Sequence, residues 1–354
     1  MKRWTVLIVS VALIFSLWGC NGYTDANDTD RGTSDIDISS VQADTRNDQV
    51  NPIPQKMESV QSEPFTKDTK LSEFIDNPLF EDYGRLFVPA NGYYSGETLG
   101  NFELSFYGID PDKTVEIANY MKSQVESGET VFYDIYTDRE KEDDPQKADT
   151  GLFLFRGKPG GKFAICNAGG AFTFVGAMQD SFPHALELSK QGYNAFALIY
   201  RPGRNNSLED LARAIDFIFE HADELQVDTE CYSLWGGSAG AQMVAALGSY
   251  GTASYGGGDH PGPGAIVMQY TAYSDYTEND PPTYACIGTN DDMSNWHAAQ
   301  SRIEALDELG IPTEFHAYEG LEHGFGLGTG TIAEGWINDA IAFWEAQMDD
   351  LISQ

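Results

Sequence analysis

The stretch Leu234-Trp235-Gly236-Gly237-Ser238-Ala239-Gly240 decides how the rest of this chain is read. Before it, from Cys231, the residues are apolar or small and read as a buried strand. After it, Ala239 to Tyr250 reads as an Ala-rich helix. A strand that passes straight into a helix through Gly-x-Ser-x-Gly must turn tightly, so the positions flanking the serine must be small. The turn lifts the Ser238 hydroxyl above the sheet edge. The helix then aims its first N–H groups and its positive dipole end at the same place. The five-residue pattern alone arises by chance in Gly-rich chains; the strand and helix around it make Ser238 a candidate nucleophile.

A serine hydroxyl attacks only when a base takes its proton. His323, in Gly320-Leu321-Glu322-His323-Gly324-Phe325, is the last histidine. It sits in a loop after a strand at 314–318 and before the final helix, where it can reach back to Ser238. His184 and His221 fall within helices, His260 in a Gly/Pro-rich loop, His297 at a helix start and His316 in mid-strand. These five read as structural or solvated. The acid that orients the base belongs after the strand at 283–287, where Gly288-Thr289-Asn290-Asp291-Asp292 follows. Asp291 is the first choice and Asp292 the alternative, with Asp275 and Asp280 weaker. An oxyanion needs backbone donors. One is the Ala239 N–H. The other is expected from the loop Asn167-Ala168-Gly169-Gly170-Ala171-Phe172 after the strand at 162–167, with the Gly170 N–H as the donor and Gly169 beside it in the oxyanion hole.

Outward from these motifs, the chain from 131 alternates strands and helices. Strands are expected at 131–136, 151–156, 162–167, 194–200, 231–236, 265–270, 283–287 and 314–318. Helices are expected at 178–191, 207–225, 239–250, 295–309 and 332–348. That alternation implies an α/β fold with a mostly parallel sheet and helices on both faces.

Residues 131–354 thus resemble the α/β-hydrolase superfamily. The Gly169-Gly170 loop, Gly236 to Gly240, and the Asp291/His323 pair are similar to those of small esterases, among them carbohydrate acetyl- and feruloyl-esterase types and hormone-sensitive-lipase-like enzymes. The resemblance implies ester hydrolysis through an acyl-enzyme; no cofactor is expected, and no metal site is read from the residues. The loop departs from the His-Gly-Gly-Gly form, because Asn167 and Ala168 stand where a histidine is usual. The stretch between Tyr270 and Thr283 is too short for the large cap many relatives insert there. A lid would have to come from the aromatic segment 71–130, which includes a helix at 112–126, or from 254–264. Segment 71–130 is read equally as a packing element or as a cap. Phe172, Phe174 and the 273–276 loop are candidates for contacting the alcohol side of a substrate.

Composition narrows the partners. The 354 residues carry a formal net charge of −34, which argues against nucleic acid and polyanionic substrates and favours a small neutral ester. Lys2 and Arg3 precede an apolar run from Val6 to Leu17, and Leu17-Trp18-Gly19-Cys20 follows. Residues 1–20 resemble a bacterial lipoprotein signal, with Cys20 as the lipidated residue and an exported, membrane-anchored protein as the consequence. Residues 21–70 read as a flexible acidic tether. Cys166, Cys231 and Cys286 have no zinc-ligand spacing and read as free thiols. A prolyl-oligopeptidase-like peptidase and a lipase are the alternative activities.

Overall fold

The computed structural model describes residues 63–352, apart from 91 and 109. The signal segment with Cys20 and nearly all of the acidic stretch therefore lie outside the described residues. The fold itself begins before 71. Phe65 is buried edge-on against Phe74, with ring centroids 5.4 Å apart, and its N–H donates to Asn119 Oδ1 at 2.8 Å. One aromatic side chain with a core to enter outweighs the polar composition around it.

Eight strands form the main sheet: β1 (Phe132–Tyr133), β2 (Gly151–Phe155), β3 (Gly161–Asn167), β4 (Asn194–Ile199), β5 (Val227–Gly237), β6 (Ala265–Gln269), β7 (Thr283–Gly288) and β8 (Thr313–Tyr318). Their spatial order is β8-β7-β6-β5-β3-β4-β2-β1. The six strands from β8 to β4 run parallel, and β2 and β1 join antiparallel at one edge. The strand order reverses beside β3, between β4 and β5, which is where open α/β sheets place their sites.

Six longer helices accompany the sheet: α1 (Pro111–Glu126), α2 (Ser181–Gln191), α3 (Arg204–Glu220), α4 (Ala239–Tyr250), α5 (Trp296–Glu308) and α6 (Trp336–Ile352). Strand alternation sorts the core into two layers. Ala164, Cys166 and Val267 face α2 and α6, with Phe182, Ala185, Ile337 and Trp344. Phe163, Ile165 and Ile266 face α3 and α4, with Leu211, Ile215, Val244 and Leu247. The expected elements are present, with ends shifted by a few residues; β5 starts at Val227 and the last helix at Trp336. Cys166 and Cys286 are buried and Cys231 half-buried, all as free thiols.

The aromatic segment joins the α2/α6 layer. Phe74, Phe80, Phe87 and Phe102 are fully buried there, and Phe87 packs on Phe153 of β2 with centroids 5.0 Å apart. Among the described residues no helix is long and apolar enough to cross a membrane.

Candidate active site

The site begins at the end of β5. Ser238 adopts φ 51° and ψ −113°, a left-handed backbone that costs a non-glycine residue on the order of 1–3 kcal/mol. Two close approaches hold it there. A Cβ on Gly236 would sit 2.3 Å from the Gly240 carbonyl carbon, and one on Gly240 would sit 2.0 Å from the Asn167 carbonyl oxygen. Glycine at both positions lets α4 descend onto the end of β3. The Ser238 N–H is tied to the Gln269 carbonyl at 2.9 Å, which locks the elbow to β6.

His323 arrives from the loop after β8. Its Nε2 lies 3.0 Å from Ser238 Oγ and its Nδ1 lies 2.7 Å from Asp291 Oδ2. The Asp291 carboxylate is fully buried, and its Oδ1 accepts the Met293 and Ser294 N–H groups at 2.9 and 2.7 Å. The imidazole is nearly enclosed, at 7% exposure. Asp292 is exposed and takes no part in this chain of bonds. Asp275 accepts the Tyr250 hydroxyl at 2.7 Å, and Asp280 is buried against Arg302. Among the other histidines, His260 binds Asp216, His316 binds Glu314, and His221 packs on Phe217. His184 is buried beside Asp180, its pKa lowered by that burial.

The loop after β3 differs from expectation at one residue. The Gly169 N–H donates to Asp180 Oδ2 at 2.7 Å, so it is drawn away from the serine and is not an oxyanion donor. The amides of Gly170 and Ala239 make no bond to a protein acceptor among the described residues. Gly169 itself abuts the serine, since a Cβ there would lie 2.8 Å from Ser238 Cβ. Asn167, at the place usual for histidine, clamps the strand ends: its Nδ2 donates to the Ile165 and Trp235 carbonyls at 3.2 and 3.0 Å. The Tyr200 hydroxyl donates to the Ala168 carbonyl at 2.7 Å. Asp180 and Tyr200 carry no motif, and sequence reading passes over them; it singles out Asn167 only as the residue that replaces the usual histidine.

A cleft of about 950 Å³ opens beside His323. One wall is drawn from residues 92–95, 103–108 and 110–114, the other from 321–331, with Asp292 and Met293 at the edge. Segment 71–130 is therefore both a packing element and one wall of this cleft. Glu103, Asp110, Asp292 and Glu322 line it, while its lysine, Lys113, is paired with Glu116 and Glu187. Phe106 projects there, 52% exposed and held at φ 73°. Phe172, Phe174 and the 273–276 loop do not line this cleft; Phe174 is buried and stacked on Tyr93 at 4.7 Å.

The strand-elbow-helix turn and the mostly parallel, doubly covered sheet make an α/β-hydrolase fold, and comparison with known structures gives the same fold. A family model described as BD-FAE matches residues 158–258, from just before β3 through the elbow and α4. An acetyl ester-xyloside bifunctional hydrolase from Caldicellulosiruptor lactoaceticus superposes with a TM-score of 0.53 at 18% identity, covering 61% of this chain and 95% of that one. The esterase Est2 of Thermogutta terrifontis gives 0.52 at 19% identity, covering 61% and 91%. MGS-M1, an α/β hydrolase from a Medee basin deep-sea metagenome library, gives 0.50 at 20% identity, covering 56% and 93%. No curated protein matches the chain by sequence.

Proposed function

We propose that this chain is a serine hydrolase that cleaves carboxylic esters of small neutral alcohols. The observation that carries the reading is the unbroken chain of bonds from Ser238 Oγ through His323 to Asp291 on a strained elbow. In it, His323 Nε2 removes the Ser238 proton as Oγ attacks the ester carbonyl, and Asp291 holds the imidazole in the tautomer that presents Nε2. The Ala239 and Gly170 N–H groups receive the oxyanion. His323 then protonates the departing alkoxide, and a water activated by the same imidazole releases the acid. The BD-FAE match and the likeness in fold to the esterase Est2 and to the acetyl ester-xyloside bifunctional hydrolase support ester cleavage as the reaction class.

The carboxylates of the cleft, which meets the proposed triad at His323 and is not lined by Ser238, Gly170 or Ala239, support the substrate class. With Glu103, Asp292 and Glu322 on its walls and Lys113 already paired, it repels anionic alcohols and offers acceptors to hydroxyl groups. An acylated sugar fits that chemistry better than a long-chain lipid or a peptide. The signal pattern of residues 2–20 supports export and lipid attachment at Cys20, and is the sole support for that part of the reading.

The test is a fluorophosphonate label on the full-length protein and on Ser238→Ala, with hydrolysis of acetylated sugars, feruloyl esters, graded acyl chains and peptide anilides. Label and ester turnover are expected in the wild type and absent in Ser238→Ala. Equal labelling of both would remove Ser238 from the mechanism. Peptide anilide cleavage without ester cleavage would replace the esterase reading with a peptidase.

A further inference from the structure

Beneath the loop after β3 lies a carboxylate that the proposed mechanism does not use. Asp180, at the start of α2, is fully buried. Its Oδ2 accepts two bonds: the Gly169 N–H at 2.7 Å and the Tyr107 hydroxyl at 2.9 Å. Its Oδ1 faces His184 Nδ1 at 3.5 Å. The group lies directly behind the elbow, since a Cβ on Gly237 would meet Asp180 Oδ2 at 2.5 Å and the Tyr270 hydroxyl at 2.6 Å. Burying a carboxylate costs several kcal/mol unless it is bonded, so a buried carboxylate with two good donors holds those donors firmly. Burial and this negative charge push the Tyr107 and Tyr270 phenols up, so both keep their protons.

The two donors come from the two parts of the molecule that must meet at the site. Gly169 belongs to the oxyanion loop. Tyr107 belongs to the N-terminal segment, next to Phe106 on the cleft wall. The loop beyond Gly169 is strained: Gly170, Ala171 and Phe172 all have positive φ, at 134°, 52° and 57°. Such a run of backbone needs an external restraint to persist. Its restraints include the bond of Gly169 to Asp180, the Tyr200 bond to Ala168 and the Gly203 N–H on the Phe172 carbonyl at 2.7 Å, beside the local bonds of the Gly176 N–H to the Gly169 carbonyl and of the Thr173 N–H to the Gly170 carbonyl, both at 2.9 Å; of these, only the bond to Asp180 holds an amide of the glycine pair.

We propose that Asp180 is the positioning residue of the oxyanion hole: by drawing the Gly169 amide inward it holds the following amide, Gly170, ready for the oxyanion, and through Tyr107 it ties that geometry to the wall of the cleft. The inference rests on the proposed reading of Ser238 as nucleophile. Asp180 touches no reacting atom. Its negative charge opposes the oxyanion, so its net effect depends on the amide geometry outweighing that field.

The test uses the full-length protein, Asp180→Leu, Asp180→Asn and Tyr107→Phe. Turnover is normalised to active sites counted by the burst of p-nitrophenol. A trifluoromethyl ketone, which forms a tetrahedral oxyanion on the serine, reports the hole directly. Asp180→Leu is expected to lower kcat by about 100-fold, as for loss of one oxyanion donor, and to weaken the ketone equally while KM stays within about two-fold. Asp180→Asn keeps an acceptor for Gly169 and should recover part of the loss. Tyr107→Phe removes one bond to the carboxylate and should cost roughly 5-fold in both readouts. A residue that only stabilises the fold would lower the number of active sites and leave turnover per site and ketone affinity unchanged; that result overturns the proposal. So does a rise in kcat for Asp180→Asn, because the charge would then matter more than the geometry. If the leucine variant does not fold, the other two decide. A wild type that neither labels with fluorophosphonate nor hydrolyses esters sinks the proposed function itself.

Discussion

His323 Nε2 and Ser238 Oγ lie 3.0 Å apart although 85 positions separate them in the chain. The sheet brings them together: β5 ends at the serine, and β8, three strands away, ends just before the histidine loop. The contact therefore depends on every strand between them keeping its register.

Asp291 and Asp292 are adjacent, yet their replacement should differ sharply. Asp291→Asn loses the carboxylate that holds the His323 tautomer, and kcat is expected to fall by about 10⁴-fold. Asp292→Asn should leave kcat for a neutral ester within a few-fold. Steady-state kinetics on one acetyl ester separates the two, and a reversed order would assign the acid to Asp292.

Gly240→Ala should damage stability and activity together. Its Cβ would lie 2.0 Å from the Asn167 carbonyl oxygen, so α4 must retreat from β3. Overpacking of this kind costs about 1–3 kcal/mol. Urea unfolding should show the lower midpoint. An unchanged midpoint would mean that α4 has slack the packing does not suggest.

His184 predicts how stability responds to acid. Burial lowers its pKa from the ordinary 6.5. Between its folded and unfolded pKa the unfolded chain binds more protons, so stability falls as pH drops below 6.5 and levels off below the folded value. Above 6.5 this contribution is fully present. Replacing the group with the non-titrating His184→Gln should flatten the slope of unfolding free energy in that window. A slope equal to the wild type would assign the acid sensitivity elsewhere.

Asp280 offers a control. It is buried against Arg302, whose own pKa burial lowers. Asp280→Ala leaves a guanidinium unpaired in the interior, which is expected to cost about 3–5 kcal/mol. Turnover per active site should not change, since Asp280 takes no part in the chain of bonds at Ser238. A fall in turnover per site with stability intact would make Asp280 part of the catalytic apparatus.

Much of this molecule follows from local pattern. Strand period, helix period and the Gly236 to Gly240 turn identify the alternating α/β architecture and Ser238, because each depends on neighbours a few positions away. Chain order then points to His323 and to the Asp291/Asp292 pair. Tertiary structure separates that pair. Both aspartates belong to the same turn, and the Met293 and Ser294 amides orient Asp291 toward His323 while Asp292 faces solvent. It also sets Gly169 apart from Gly170, the donor that chain order already favours. Adjacent glycines look alike in sequence, but Asp180 claims the Gly169 amide, and that carboxylate arrives on a helix start with no motif to announce it. The aromatic segment follows the same rule. Its apolar content requires burial somewhere, yet its place as cleft wall and the bond of Tyr107 to Asp180, 73 positions further along, are seen only in the folded chain. Periodicity encodes what a residue does with its near neighbours. A buried polar contact between distant segments leaves no period, and the folded chain alone determines it.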